Sequence, residues 1–402
     1  MNLLPISFLD ELVAIRRDIH AHPELAFKET RTADMVAREL SAYGLEVHCG
    51  LAKTGVVGIL RNGQSSRAIG LRADMDALPL LEKNVFSHCS TEAGKMHACG
   101  HDGHTTMLLG AARYLAENRD NHSFDGTVYF IFQPAEESES GSAGGADAMI
   151  REGLFQKFPM EAIFGLHNWP GIPAGEMVIM PGPIMAGTCT FEINIRGQGC
   201  HAAMPHEGTD TLVAASHLVL ALQTIVARNV NPCEAAVVSV TQIHGGEALN
   251  IIPDDAVLRG TIRYFKPEVL TLVEKSIRRI CAGTESMFGV AVNSTLEPRY
   301  PPTINDTEEA SICQAVGASL VGEQRVRRSE LPSMGAEDFA HMLKEKPGCY
   351  IWLGSGTSGT GDSDEKGRAL HNPHYDFNDN IIAVGVSYWV KLIERLLRTD
   401  SN

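Results

Sequence analysis

The stretch Met96-His97-Ala98-Cys99-Gly100-His101-Asp102-Gly103-His104 gathers three histidines and a cysteine within nine residues. A thiolate and neutral imidazoles are donors that a borderline divalent cation accepts. Cys99 and His101 are two apart, so extended backbone would point both side chains to one face. Gly100 and Gly103 let the chain turn tightly there. Residues of these types at this spacing offer metal ligation.

A second signal is Glu136-Glu137, which follows the apolar run Thr127–Phe132 and the break Gln133-Pro134. Carboxylates at the C-terminal end of a central strand sit where open α/β sheets bind ligands. One of the two can ligate a cation while its neighbour serves as a base. His167 follows the run Met160–Gly165, and His371 follows a polar loop. Each gains meaning only from the ensemble. Asp74 and Asp76 close the run Ala68–Ala73 and are read as ligands or as groups that orient a ligating histidine. The second role is favoured because enough ligands stand elsewhere. The sequence has no Gly-x-Ser-x-Gly elbow, phosphate-binding loop or His-Glu-x-x-His pair.

These side chains need a scaffold. Apolar spacing predicts helices over Phe8–His20 and about Glu29–Tyr43, then buried strands at Val56–Leu60, Ala68–Ala73, Thr127–Phe132 and Met160–Gly165. Helices at Thr105–Asn118 and Ala143–Glu152 alternate with them, which predicts an α/β layered fold. From Thr188 the texture changes to a β-α-β-β-α-β order: Thr188–Arg196, Asp210–Asn229, Ala235–His244, Ala256–Tyr264, Val269–Gly283 and Val290–Leu296. That is the ferredoxin-like split unit. Beyond Pro301-Pro302 the alternation resumes with Thr307–Val321, Cys349–Gly354, a polar loop over Gly354–Gly367 and a last helix, Asn380–Leu397. The simplest architecture is a discontinuous α/β domain with a smaller domain inserted in it.

Composition narrows the function classes. At 402 residues the chain exceeds the roughly 250–300 residues at which one core stops growing. Its formal net charge of -15 argues against a nucleic-acid partner. No run is read as a membrane span of ~18–20 residues, so no membrane partner is expected. Residues Met1–Asp10 lack a basic leader region, so no secretory signal is expected. Nine scattered cysteines without a Cys-x-x-Cys pair point to a reducing, cytoplasmic setting.

Seven segments, in one order along nearly the whole chain, resemble the di-metal aminoacylase/carboxypeptidase peptidase family in its hippurate hydrolase and indole-acetyl-amino-acid hydrolase branch. They are Arg16–Leu25, Leu71–Pro79, Met96–His104, Gln133–Glu137, Gly199–Pro205, Asn250–Asp254 and Gly335–Phe339. The resemblance implies a mixed-sheet, three-layer α/β catalytic domain (1–186 and 298–402) with an inserted ferredoxin-like α+β lid and dimerisation domain (187–297). It implies that Cys99 bridges two divalent cations, zinc or manganese, with cobalt or nickel as further options. His101 and His167 would complete one site; Glu137 and His371 would complete the other.

By the same resemblance Glu136 is the general base and His201 stabilises the oxyanion, reaching across a dimer. Asn250 and Arg263 hold the substrate carboxylate, a role that suits the bidentate guanidinium. The cations would lower the pKa of a water from ~15.7 toward ~7, and Glu136 would move its proton to the leaving amine. The expected activity is hydrolysis of a small N-acyl-amino acid by a homodimer or homotetramer. A dipeptidase or carboxypeptidase of the same family is the near alternative. A non-enzymatic metal-binding protein is the distant one, and it would have no need of Glu136 beside Glu137.

Overall fold

The computed structural model describes residues 4–119, 124–138, 144–356 and 369–398. The chain forms two compact units. The larger comprises Met1–Ile184, Ile304–Leu331 and Asp338–Asn402; the smaller comprises Met185–Thr303 and Pro332–Glu337. The smaller unit thus begins at 185 rather than 187 and ends beyond 297. It also takes up the short segment Pro332–Glu337, which the expected division assigns to the second part of the catalytic domain.

The larger unit is built on an eight-stranded sheet. In spatial order its strands are Glu46–Leu51, Gly55–Asn62, Gly126–Gln133, Ala68–Asp74, Ala162–Pro170, Gly348–Gly356, Met177–Val178 and Val326–Arg327. Ala68–Asp74 runs parallel to Gly126–Gln133 and Ala162–Pro170, whereas Gly55–Asn62 is antiparallel to its neighbours. The sheet is therefore mixed. Every residue of Ala68–Asp74 is buried, as expected of a strand covered on both faces. Ile69, Leu71 and Ala73 join a core with the helices Ile6–Ala21, His101–Glu117 and Ile382–Leu396. On the opposite face Ile131, Met160 and Ile163 crowd around Gly70.

The short strands Glu46–Leu51, Met177–Val178 and Val326–Arg327 and the helix Ala340–Glu345 carry no periodicity that the sequence reading registered. Position 143 and most of the polar loop after Gly354 (357–367) lie outside the described residues.

The smaller unit has a four-stranded antiparallel sheet in the order Ala236–His244, Asp255–Tyr264, Gly187–Arg196, Ala291–Pro298. Two helices, Thr211–Thr224 and Pro267–Phe288, pack on its apolar face through Leu218, Leu222, Val273 and Ile277. In chain order this is β-α-β-β-α-β, the ferredoxin-like arrangement. Asp210 caps the first helix by accepting from the backbone N–H groups of Leu212 and Val213, both at 3.0 Å. With the turn Ile225–Asn229 that helix spans 19 residues and is apolar enough to cross a bilayer by length and composition. This corrects the expectation that no run reaches the length and apolarity of a membrane span. Its inner stripe packs on the sheet, while Leu212, Val213 and Leu220 stay exposed.

Candidate metal centre

The site is assembled at the C-terminal ends of three adjacent parallel strands, Gly126–Gln133, Ala68–Asp74 and Ala162–Pro170. Asp74 pairs with Gln133, and Arg72 pairs with Gly165, two residues before His167. The register thus brings Asp74, Glu136-Glu137 and His167 to one edge of the sheet.

The histidine-rich segment reaches this edge differently from expectation. Cys99 and His101 do not sit on extended backbone. Gly100 is left-handed at φ 93°, and His101 is already the first residue of the helix His101–Glu117. The reversal at Gly100 turns both side chains inward. A methyl group there would also strike the Asn168 side chain and lie 2.7 Å from the Tyr375 hydroxyl. Gly100→Ala is therefore expected to cost about 2–5 kcal/mol from strain plus overpacking. A thermal melt checks this, since an unchanged Tm would show that the turn tolerates a side chain.

Cys99, His101 and His167 bring ligand atoms within 4.8 Å of one another; so do Cys99, Glu137 and His371, and so do His101, Glu136 and Glu137. Cys99 belongs to the first two groups, His101 to the first and third and Glu137 to the last two, so the three groups adjoin in one cluster. His101 donates from Nδ1 to the Asp76 carbonyl at 2.8 Å, and His167 donates from Nδ1 to the Asn168 carbonyl at 2.6 Å. Each ring thus spends Nδ1 on a backbone carbonyl and leaves Nε2 for the cluster, the orientation a cation needs. Nε2 of His167 lies 3.4 Å from the Cys99 sulfur. Nε2 of His101 is buried without a hydrogen-bond partner. An orphaned, buried imidazole nitrogen beside a thiol and a carboxylate fits a divalent cation.

His371 approaches Glu137 at 2.7 Å. Its backbone is left-handed at φ 64° and is pinned by its N–H donating to the Ala98 carbonyl at 2.7 Å. Strain of this kind in a non-glycine residue collects at functional sites.

Asp74 and Asp76 act on other residues. The Asp76 carboxylate accepts from the backbone N–H groups of Glu136 (3.1 Å) and Glu137 (2.8 Å), which sets the turn that presents both side chains. Asp74 accepts from His104 Nδ1 at 2.6 Å and from Arg72 at 2.7 Å. Nε2 of His104 meets Asn168, so both of its ring nitrogens are engaged and it braces the cluster.

Three further supports carried no assigned role in the sequence reading. Asp338 accepts from Arg72, from Gln133 and from the Ala146 N–H, which ties down the strand end just before Glu136. Buried Glu29 accepts from the N–H of Ala135, itself left-handed at φ 55°. Burial, and then the Asp76 charge, push the Glu29 carboxyl up to about 7. Gln133 and Asp338 stood in the quoted motifs; Glu29 gave no local signal.

Beneath the helix start, buried His20 donates to Asp102 at 2.8 Å and to Glu82 at 3.3 Å. Burial alone would lower its pKa, but these two carboxylates outweigh it and raise His20 from 6.5 to about 9. A raised histidine pKa stabilises the fold fully below the unfolded value, and that contribution is lost as pH rises through the folded one. Stability should therefore fall by about 3 kcal/mol between pH 6.5 and 9. Melts across that range should decline in the wild type and flatten in His20→Gln.

In the smaller unit, the pair Cys200–His201 is bonded to Ile251–Ile252, and the Ala202 N–H donates to the Asn250 carbonyl at 3.0 Å. His201 and Asn250 are thereby neighbours. Nδ1 of His201 accepts from the Ala203 N–H at 3.0 Å, so a neutral ring carries its proton on Nε2. Arg263 lies on Asp255–Tyr264 and donates to the Thr188 hydroxyl at 2.5 Å, to the Thr261 hydroxyl and to the Ile262 carbonyl at 3.1 Å. Burial, followed by the charge of Arg299, lowers its pKa.

Comparison with known proteins decides the family. Residues 70–395 match Peptidase family M20/M25/M40. The chain belongs to this family. Among its relatives is a hippurate hydrolase of Campylobacter jejuni, 40% identical over 99% of this chain and 100% of that protein. An N-acetyl-L-cysteine deacetylase of Bacillus subtilis is 38% identical over 100% of this chain and 91% of the relative. A solved Bacillus subtilis structure, described as a dinuclear metal-binding peptidase of the M20 family, superposes with a TM-score of 0.84. It is 33% identical and covers 98% of this chain and 99% of its own. As an M20 protein, the chain is a metal-binding hydrolase, and its clustered donors offer ligands for two divalent cations.

Proposed function

We propose that this protein hydrolyses the amide bond of N-acyl-amino acids, releasing a carboxylic acid and a free amino acid. The observation that carries the reading is Cys99, one thiol common to two ligand groups, with Glu136 beside them. Relatives named for hippurate, N-acetylcysteine and IAA-amino acid hydrolysis span nearly all of the chain. Cys99, His101 and His167 are assigned to one cation; Cys99, Glu137 and His371 to the other. Thiolate softness favours zinc, with manganese, cobalt or nickel as the other options.

When bound, the cations supply Lewis acidity and lower the pKa of a nearby water. Glu136, 6% exposed, takes that water's proton and hands it to the leaving nitrogen. Asp76 holds the Glu136 backbone in place during this transfer. For His201 we assign oxyanion stabilisation, supported by the tautomer that leaves Nε2–H to donate. Arg263 and Asn250 are assigned to the substrate carboxylate; Arg263 sits near a second cationic side chain, Arg299, an arrangement that an anion would relieve. The exposed apolar face of Thr211–Thr224 and the sheet-edge strand Ala236–His244 support self-association into a homodimer or homotetramer. Nine unpaired cysteines support a cytoplasmic setting.

A thermostable carboxypeptidase of Saccharolobus solfataricus, 38% identical over 86% of both chains, keeps a carboxypeptidase reading as the alternative. The test is release of free glycine from N-benzoylglycine set against release from glycylglycine, with metal-loaded protein. Turnover of the blocked substrate at least tenfold faster supports the acyl reading. Turnover only of the free-amine substrate would replace it with a peptidase.

A further inference from the structure

The C-terminal end of the strand Ala162–Pro170 carries an aromatic stack that metal ligation does not require. His167 and Trp169 are two apart, so they lean to the same side of the strand. Their ring centroids are 6.0 Å apart, with the planes at 67°. On the neighbouring strand Trp352 pairs with His167 in parallel register. The Trp352 ring lies flat against Trp169, with centroids 3.9 Å apart and planes at 15°. Trp352 is buried at 2% exposure, and Trp169 is half-buried. One indole thus backs the other and holds it rigid at the strand end beside a proposed metal ligand. Tyr350, with its centroid 6.4 Å from His167, extends the aromatic surround.

We propose that Trp169 is a platform for the acyl group and that it selects planar aromatic acyl groups over small aliphatic ones. The proposal rests on the N-acyl-amino acid reading above. A scissile carbonyl held at the Cys99, His101 and His167 cluster carries its acyl substituent immediately beside it. Trp169 is the partly exposed aromatic side chain on the same strand as His167, and a benzoyl or indolyl ring can stack against it or meet its edge. Such contacts contribute beyond simple area burial, whereas a methyl group gains only a few van der Waals contacts. Rigid backing by Trp352 lowers the ordering cost of the contact, because the platform does not have to be fixed when substrate binds.

The experiment compares N-benzoylglycine with N-acetylglycine on metal-loaded wild type, Trp169→Ala, Trp169→Leu and Trp169→Phe. For Trp169→Ala, kcat/KM for the benzoyl substrate is expected to fall about five- to tenfold. The acetyl substrate should change less than about twofold. Trp169→Phe should restore most of the benzoyl rate. Trp169→Leu keeps an apolar cover over Trp352 without a π face, so it should fold and still lose the benzoyl preference. Equal losses on both substrates, or an unchanged benzoyl-to-acetyl ratio in the Leu variant, would overturn the platform and leave Trp169 a structural residue. If wild type cleaves neither substrate, the amidohydrolase reading falls and takes this proposal with it. A wild type that cleaves both and prefers acetyl refutes the platform alone.

Discussion

Glu136→Gln is expected to lower kcat about a thousandfold while both metal sites remain filled. The substitution keeps the shape of the side chain and removes its ability to carry a proton, a capacity usually worth about 10²–10⁴ in rate. The backbone around it should not move. Ala135 is held in its left-handed turn by Glu29, and Asp76 grips the N–H groups of residues 136 and 137. Glu137→Gln should behave differently, because Glu137 is assigned to a cation with Cys99 and His371, whereas Glu136 is assigned the proton transfer. There, bound metal should fall together with rate. Parallel measurement of kcat and metal per chain separates the two carboxylates. Near-wild-type turnover by Glu136→Gln would remove Glu136 from the role of base.

Cys99→Ala should have the second large effect, weakening both cations at once. Loss of a single outer support of a metal ligand typically costs ~10–100-fold in affinity, and a donor common to both groups should cost more than ~100-fold. Burial first, and then the charges of Glu137, Glu136 and Asp74, push the Cys99 thiol well above its ordinary value. A cation must therefore displace a proton to engage it, so apparent affinity should fall as pH falls. Cys99→Asp offers a two-oxygen bridge and should recover part of the metal binding that Cys99→Ala loses. Equilibrium dialysis against zinc reports all three proteins. Retention of two ions by Cys99→Ala would mean that the sulfur does not bridge.

How much of this was legible in the sequence follows from how local each signal is. Cys99, His101 and Glu136-Glu137 stand in short dense clusters, and the buried run Thr127–Phe132 announces its own strand. His167 and His371 do not advertise themselves. One lies at the end of a strand and the other in a turn with positive φ, and only the three-dimensional register joins them to Cys99. One expectation the structure corrects is the backbone at Gly100. Spacing of two suggested extended chain, but a left-handed glycine places His101 on a helix instead. Glycine permits both conformations, so the sequence cannot choose between them. Glu29 was invisible for another reason: beside the local N–H of Phe27, the partners that tie it to the site, Thr54 and Ala135, are 25 and 106 residues away. In the smaller unit the alternation of Thr188–Arg196 reflects a sheet with one packed face, and the element order was enough to give its topology.

The most direct test of the central claim is to titrate metal back into stripped protein while following N-benzoylglycine hydrolysis and bound metal together. The expected result is negligible turnover without metal, recovery on adding zinc or manganese, and saturation at two ions per chain. Full turnover by the stripped protein, or saturation of activity with a single ion bound, would contradict a thiol-bridged pair of cations as the centre of this enzyme.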